Sequence, residues 1–221
     1  APVPDYSASL VEDIKGLRIG VPRHFFFADD PLISRETLSA VDTALKALED
    51  LGAHVEEVTV PSLEHSGVAQ RVIMYGEAVA YHGKNLRSRP RDFGEHVRAH
   101  FRMGSLFTSE DYVQAQRLRN VMKREFARLL ETVDVVASST MSNPPSRFDE
   151  SDAMTTARVP SFTSPFNLTG MPAISVPCGF TSAGLPVGLQ IAGKAFDEPT
   201  VIRAAYTYQQ HARLIDRRPP G

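Results

Sequence analysis

The sequence predicts an α/β fold, a mixed central β-sheet flanked by helices, formed as one unit over residues 1–221. Three observations carry this. Residues 17–60 read strand, helix, strand, which is a βαβ unit with a parallel pair. Residues 173–177 and 187–192 are two short apolar runs joined by a Gly- and Pro-containing turn, which reads as an antiparallel hairpin. Between them, amphipathic helical segments lead to a further short apolar run at 133–137, with no repeat, low-complexity block or linker to divide the chain. Parallel and antiparallel signals together make the sheet mixed.

Residues 1–16, with Pro2, Pro4 and Ser7 to Ser9, read as an extended segment leading into the fold, because proline removes donors and resists helix. Residues 17–21 (Leu-Arg-Ile-Gly-Val) alternate as a strand and stop at Pro22. Residues 24–31, with Phe25, Phe26 and Phe27 in succession, read as a loop. Ser34 then offers a helix N-cap with Glu36 in the first turn. Leu38, Val41, Leu45, Leu48 and Leu51 form one apolar stripe, and Gly52 is a natural stop. Residues 54–60 return to strand alternation and end at Pro61. Residues 63–87 are helical, 89–92 break the pattern, and a short helix follows near 95–103. Ser109-Glu-Asp signals another N-cap, opening a helix through Leu130 that buries Leu118, Val121, Met122, Phe126 and Leu129. Residues 138–160 are rich in Ser, Thr and Pro and read as the main loop. Asp197 caps a last helix through about Ala212.

Composition narrows the function. The 221 residues carry 24 basic and 26 acidic side chains, for a formal charge of −2. That balance argues against nucleic acid or an anionic membrane as the partner, since both call for a basic excess. A single cysteine excludes an intrachain disulfide framework and a Cys-built zinc site. No run approaches the 18 or so apolar residues of a membrane span. The N-terminus lacks the zones of a signal peptide. A cytoplasmic protein is the expectation.

Self-sufficient catalytic motifs are missing. There is no Gly-x-Ser-x-Gly elbow. Ser138 and Ser139 stand where α/β proteins often place functional groups, yet they read as the approach to a Ser-rich loop. Cys178, in Val-Pro-Cys-Gly, has no thiol-protease surroundings and reads as a buried small hydrophobe. His96 and His100 are four apart on a helix but lack the intervening Glu and a third ligand, so they read as solvated side chains. No Walker loop or Gly-x-Gly-x-x-Gly is present, and Gly179, Gly184, Gly188 and Gly193 punctuate strands and turns. Arg117, Arg119, Lys123, Arg124 and Arg128 read as a solvated helix face. Asn167-Leu-Thr matches a glycosylation sequon, without a secretory signal to give it meaning. No cofactor and no metal are expected.

Residues 162–179 (Phe-Thr-Ser-Pro-Phe-Asn-Leu-Thr-Gly-Met-Pro-Ala-Ile-Ser-Val-Pro-Cys-Gly), continuing through 184–193 (Gly-Leu-Pro-Val-Gly-Leu-Gln-Ile-Ala-Gly), closely resemble the C-terminal part of the amidase signature family. That family includes the glutamyl-tRNA amidotransferase A subunit. The opening Pro-Val-Pro-Asp-Tyr, the segment 14–23 (Ile-Lys-Gly-Leu-Arg-Ile-Gly-Val-Pro-Arg), the strand 133–136 (Val-Asp-Val-Val) and Asp197-Glu-Pro-Thr follow in the same order. The resemblance thus runs through essentially the whole chain.

What the resemblance implies is a part of an enzyme. Family members use a nucleophilic serine, a second serine in a cis peptide and a lysine, with a Gly/Ser-rich loop. A neutral lysine relays a proton through the bridging serine while backbone N–H groups hold the oxyanion. No Gly-Gly-Ser-Ser-Gly-Gly run occurs here, and none of Lys15, Lys46, Lys84, Lys123 and Lys194 stands in a matching context. No catalytic residue is carried over. The resemblance places the loop before Asn167 and the helix around residues 75–81 on a substrate pocket, with Tyr75, Arg158 and Thr163 as substrate-binding candidates.

Two departures stand out. Amidotransferase subunits place an acid before the Pro-x-Asn-Leu segment, near Pro160 here, and this chain has none, which favours a general amidase. Residues 136–140 (Val-Ala-Ser-Ser-Thr) lack the proline common after this strand. The expected function is the C-terminal portion of an amidohydrolase, inactive alone, whose parent takes a small amide substrate. The alternative is a non-catalytic module that pairs with a separate N-terminal half or with itself. A half-sheet leaves an open edge that invites either.

Overall fold

The computed structural model describes residues 3–147 and 161–217. A five-stranded sheet has the order β2-β1-β3-β5-β4. Its strands are β1 (Arg18–Val21), β2 (His54–Glu57), β3 (Val135–Ser139), β4 (Ala173–Phe180) and β5 (Pro186–Gly193). β1 pairs in parallel with β2 and β3, while β5 runs antiparallel to both β3 and β4. The mixed sheet read from the sequence is therefore present, with the hairpin β4–β5 docked beside the last parallel strand.

Helix α2 (Arg35–Asp50) crosses from β1 to β2. The Ser34 hydroxyl accepts the Thr37 amide as its cap, and Gly52 ends the turn at a φ of 95° that a side chain would strain. Leu38, Val41, Leu45 and Leu48 are all buried. With α7 (Glu198–Ala212), α2 covers one face of the sheet, packing Val41 and Leu48 with Val135, Leu189, Ile191 and Tyr208. The other face lies under α3 (Ser66–Ser88), α5 (Ser109–Leu129) and the short α6 (Ser164–Thr169), where Met122, Phe126, Phe162 and Phe166 meet Val136 and Ala192. Helix α4 (Glu95–Gly104) packs on α3, where the backbone of Gly104 comes so close to Tyr75 that an added Cβ would lie 2.7 Å from the Tyr75 carbonyl oxygen.

Four local expectations change. Residues 23–26 form the short helix α1 rather than loop, because Phe26 is drawn into an aromatic group with Phe162 and Phe166 at centroid distances of 5.0 and 6.2 Å. Within 1–16, residues Tyr6–Ser9 turn as a 3-10 helix started by the Asp5 carboxylate, which accepts the Ser7 amide. The cap of α5 is Thr108, not Ser109: its hydroxyl and the Asp111 carboxylate cap each other's amides. On α5, Val121 is exposed and Leu118 and Leu129 are half-buried, so the buried stripe is narrower than its apolar spacing implies. Among the described residues no helix is long and apolar enough to cross a membrane.

Candidate functional site

The face of the sheet that carries α6 changes chemistry along β3. Val136 lies beside Ala192 of β5, and next along, Ser138 lies beside Gln190, which faces Ser175 of β4. Alternation puts these side chains on one face. The row begins apolar, becomes polar and opens at Thr140 and Ser175, which are half-buried and exposed. Ala173 and Ser175, on this face of β4, are exposed.

Gly188 makes the open part possible. It sits in β5 between Thr140 and β4, and its carbonyl accepts the Thr140 amide at 2.9 Å. With no side chain there, the Thr140 and Ser175 hydroxyls meet at 2.6 Å across β5. A Cβ on Gly188 would stand 2.7 Å from both oxygens. One proton lies between the two oxygens, so the other hydroxyl keeps a donor for an outside group.

Gln190 joins this shelf to its wall. Its buried amide donates to the Ser138 hydroxyl and to the Phe162 carbonyl, both at 3.2 Å. The turn after Phe162 places Thr163 at the start of α6, half-buried, with no hydrogen bond from its hydroxyl among the described residues. Ser164 donates to the Gln70 side-chain carbonyl, tying this turn to α3. Arg119 of α5 donates to the Leu168 carbonyl at 2.6 Å and closes the far end of α6. Gly170, with φ of 72°, completes that C-cap.

The sequence candidates are not brought together equally. Thr163 follows Phe162, whose carbonyl accepts from Gln190, and is half-buried at the start of α6. Tyr75 is buried on α3 with its ring stacked on His100 of α4, centroids 4.9 Å apart. Five residues separate Tyr75 from Gln70, so the two point about 140° apart round the helix. Tyr75 thus joins α3 to α4, on a different side of α3 from Thr163. Arg158 lies outside the described residues.

The other motifs resolve into structure. Ser138 is fully buried inside β3 instead of leading out of it, and Ser139 donates to the Met141 carbonyl. Cys178 points to the opposite face, into the α2–α7 core, where burial pushes its thiol up to about 12. The same burial raises the Tyr208 phenol, which donates to the Cys178 carbonyl. His96 and His100 contact each other edge to face, and His100 is taken up by Tyr75 rather than left to solvent. Among the described residues no group of three His, Cys, Asp or Glu side chains could hold a metal ion.

The residues that motif reading missed are Thr140, Ser175, Gln190 and Gly188. Gly188 left a signal, since glycine inside a strand marks a close approach. The shelf is made of hydroxyls and an amide. It can orient a neutral polar group through hydrogen bonds and exclude bulk from one side of it. It contains no base, acid or activated nucleophile.

Comparison with known proteins bears on the family of the chain. The family model described as Amidase matches residues 1–202. The glutamyl-tRNA(Gln) amidotransferase A subunit of Methanosarcina barkeri is 36% identical over 241 residues, covering 98% of this chain and 50% of that protein. An amidase of Pseudomonas putida is 37% identical over 226 residues, covering 99% and 48%. The crystal structure of the Thermotoga maritima glutamyl-tRNA(Gln) amidotransferase A subunit superposes with a TM-score of 0.77 at 28% identity, over 92% of this chain and 44% of that one. The chain spans about half the length of the curated relatives it matches.

Proposed function

The chain belongs to the amidase family, and from that premise we propose that it acts as the C-terminal portion of an amidase-signature amidohydrolase, supplying fold and one wall of the substrate pocket. The observation that carries this reading is the shelf at Thr140, Ser175 and Gln190: a site able to orient an amide and unable to cleave it. In the proposed parent, a serine outside this chain attacks the carbonyl carbon, the C–N bond breaks, the amine leaves with a proton, and water releases the acyl group. An amide is neutral and carries one acceptor and up to two donors. It therefore suits a surface offering the spare hydroxyl donor of the Thr140–Ser175 pair. Thr163, Tyr75 and Arg158 remain proposed substrate-binding positions, Thr163 next to the Phe162 carbonyl that Gln190 holds and Tyr75 on the α4 side of α3, away from the shelf.

This chain alone is then inactive toward simple amides. Activity is expected when it is joined to a segment that carries the Gly/Ser-rich loop, the two serines and the lysine. The decisive comparison is turnover of alkyl and aryl amides by the chain with and without that segment. Turnover by the purified chain alone contradicts the proposal.

One observation favours the second reading, assembly with a separate N-terminal half or with another copy. The two edges of the sheet differ. β2 exposes Glu56 and Glu57, charges that discourage pairing. β4 (Ala-Ile-Ser-Val-Pro-Cys-Gly-Phe) has no charged residue and exposes Ala173 and Ser175. Sedimentation of the chain, alone and with an N-terminal half, reads this directly: a strict monomer in both cases removes the assembly reading.

A further inference from the structure

At the end of the sheet opposite the shelf lies a cavity of about 240 Å³ lined by Lys15, Asp134, Lys194, Asp197, Thr200 and Arg203, with little apolar surface. Asp134 precedes β3 and Thr140 follows it, so the two sites are separated by the length of that strand, about 20 Å. The charges here are unevenly matched. The Asp134 carboxylate takes the Arg18 guanidinium at 2.8 Å and the Arg18 backbone amide at 2.9 Å. The Asp197 carboxylate accepts the Thr200 hydroxyl at 2.9 Å. Both acids are thus engaged, and the nearby Lys194 charge adds to the field on Asp134.

The cations are not engaged in the same way. Among the described residues, Lys15, Lys194 and Arg203 form no ion pair within 4.0 Å. Arg203 is half-buried at the cavity wall, and its inner Nε–H meets no acceptor among them. A guanidinium with no ion pair, lining a polar cavity beside two ammonium groups that also have none, leaves N–H donors for a group from outside the chain. Thr200 and Arg203, three apart in the first turns of α7, share a face at the positive end of that helix.

We propose that this cavity binds a small oxyanion, a phosphate or a carboxylate, between the Lys15 and Lys194 ammonium groups and the Arg203 guanidinium. A guanidinium presents paired donors that match two oxygens, and two ammonium groups supply the remaining charge. The inference does not rest on the amidase reading, since the site lies at the other end of the sheet and takes no part in the chemistry proposed there.

The test is titration of the 221-residue chain with inorganic phosphate, and separately with acetate, against sodium chloride at matched ionic strength. Heat of binding and thermal midpoint are read together. A saturable response beyond that of chloride is expected: with phosphate alone it assigns a tetrahedral anion, with acetate alone a carboxylate. Lys15→Gln and Lys194→Gln, both on exposed positions, should each weaken binding by about tenfold, the loss of one charge-assisted contact. Arg203→Gln should abolish it; if that variant unfolds, the two lysine variants decide. Responses to both anions no larger than chloride's, or a saturable response unchanged in the Lys15→Gln/Lys194→Gln double variant, overturn the proposal.

Discussion

The C-terminal end of β3 meets Thr140, Ser175 and Gln190, whereas its N-terminal end meets Arg18, Asp134 and Lys194. One end is neutral and relies on close backbone approach at Gly188; the other is charged and relies on paired and unpaired ions. The two ends of one strand thus offer different chemistry. A neutral hydroxyl surface can hold an amide without competing for the protons of the reaction. The charged end fixes the start of β1 against β3 and leaves cations over. The division explains why a search for a self-contained catalytic group finds none: polar groups are plentiful, but those at the open shelf are all neutral.

The comparison breaks most readily at Gly188. Gly188→Val would drive a side chain into both shelf hydroxyls and should cost on the order of 1–3 kcal/mol by overpacking, read as a lowered denaturant midpoint. An unchanged midpoint would show that the hydroxyls move aside freely and that the shelf is not preformed. Gln190→Leu comes next. It keeps the volume but strips the Ser138 hydroxyl and Phe162 carbonyl of their buried donor, a loss of about 1–3 kcal/mol. Faster amide exchange at residues 162–164 should accompany it.

At the charged end the expected effect is smaller and depends on pH. Hydrogen bonding from Arg18, opposed by partial burial, holds the Asp134 carboxyl below its ordinary value. A depressed carboxylate stabilises the fold above its unfolded value, about 3.9, and that contribution is lost as pH falls through the lower folded value. The pair is partly exposed, so Asp134→Asn should cost no more than about 1 kcal/mol at pH 7. The difference from the unsubstituted chain should vanish in acid. A gap that persists at low pH would assign the cost to packing instead. Smallest of all is the expected reaction of Cys178. With its thiol raised to about 12 by burial, the folded chain should resist iodoacetamide at neutral pH and react once unfolded. Rapid alkylation of the folded chain would reopen a thiol chemistry on the opposite face.

What the sequence revealed follows how local each signal is. The Ser34 cap, the Leu38–Val41–Leu45–Leu48 stripe and the Gly52 stop lie within one helix, and all were legible. So was the hairpin, whose strands are neighbours in the chain. The α5 cap was nearly so: the acid three residues on belongs to Thr108, not Ser109. Helix α1 was hidden because Phe26 answers to Phe162, which is remote in sequence. The shelf was hidden for the same reason. Thr140 and Ser175 are 35 residues apart and meet only once β5 is set between them in register. Lys15, Asp134, Lys194 and Arg203 likewise come from three separate stretches of chain, and no spacing rule joins them.

The central claim, that this chain shapes an amide site without supplying its chemistry, is tested most directly by amide hydrolysis assayed on the 221-residue chain alone and joined to a segment bearing the signature loop, serines and lysine. No turnover is expected from the chain alone, with turnover from the joined protein and a lower kcat/KM when Ser175→Val removes half of the shelf's hydroxyl pair. Turnover by the chain alone, or a joined enzyme indifferent to Ser175→Val, would contradict it.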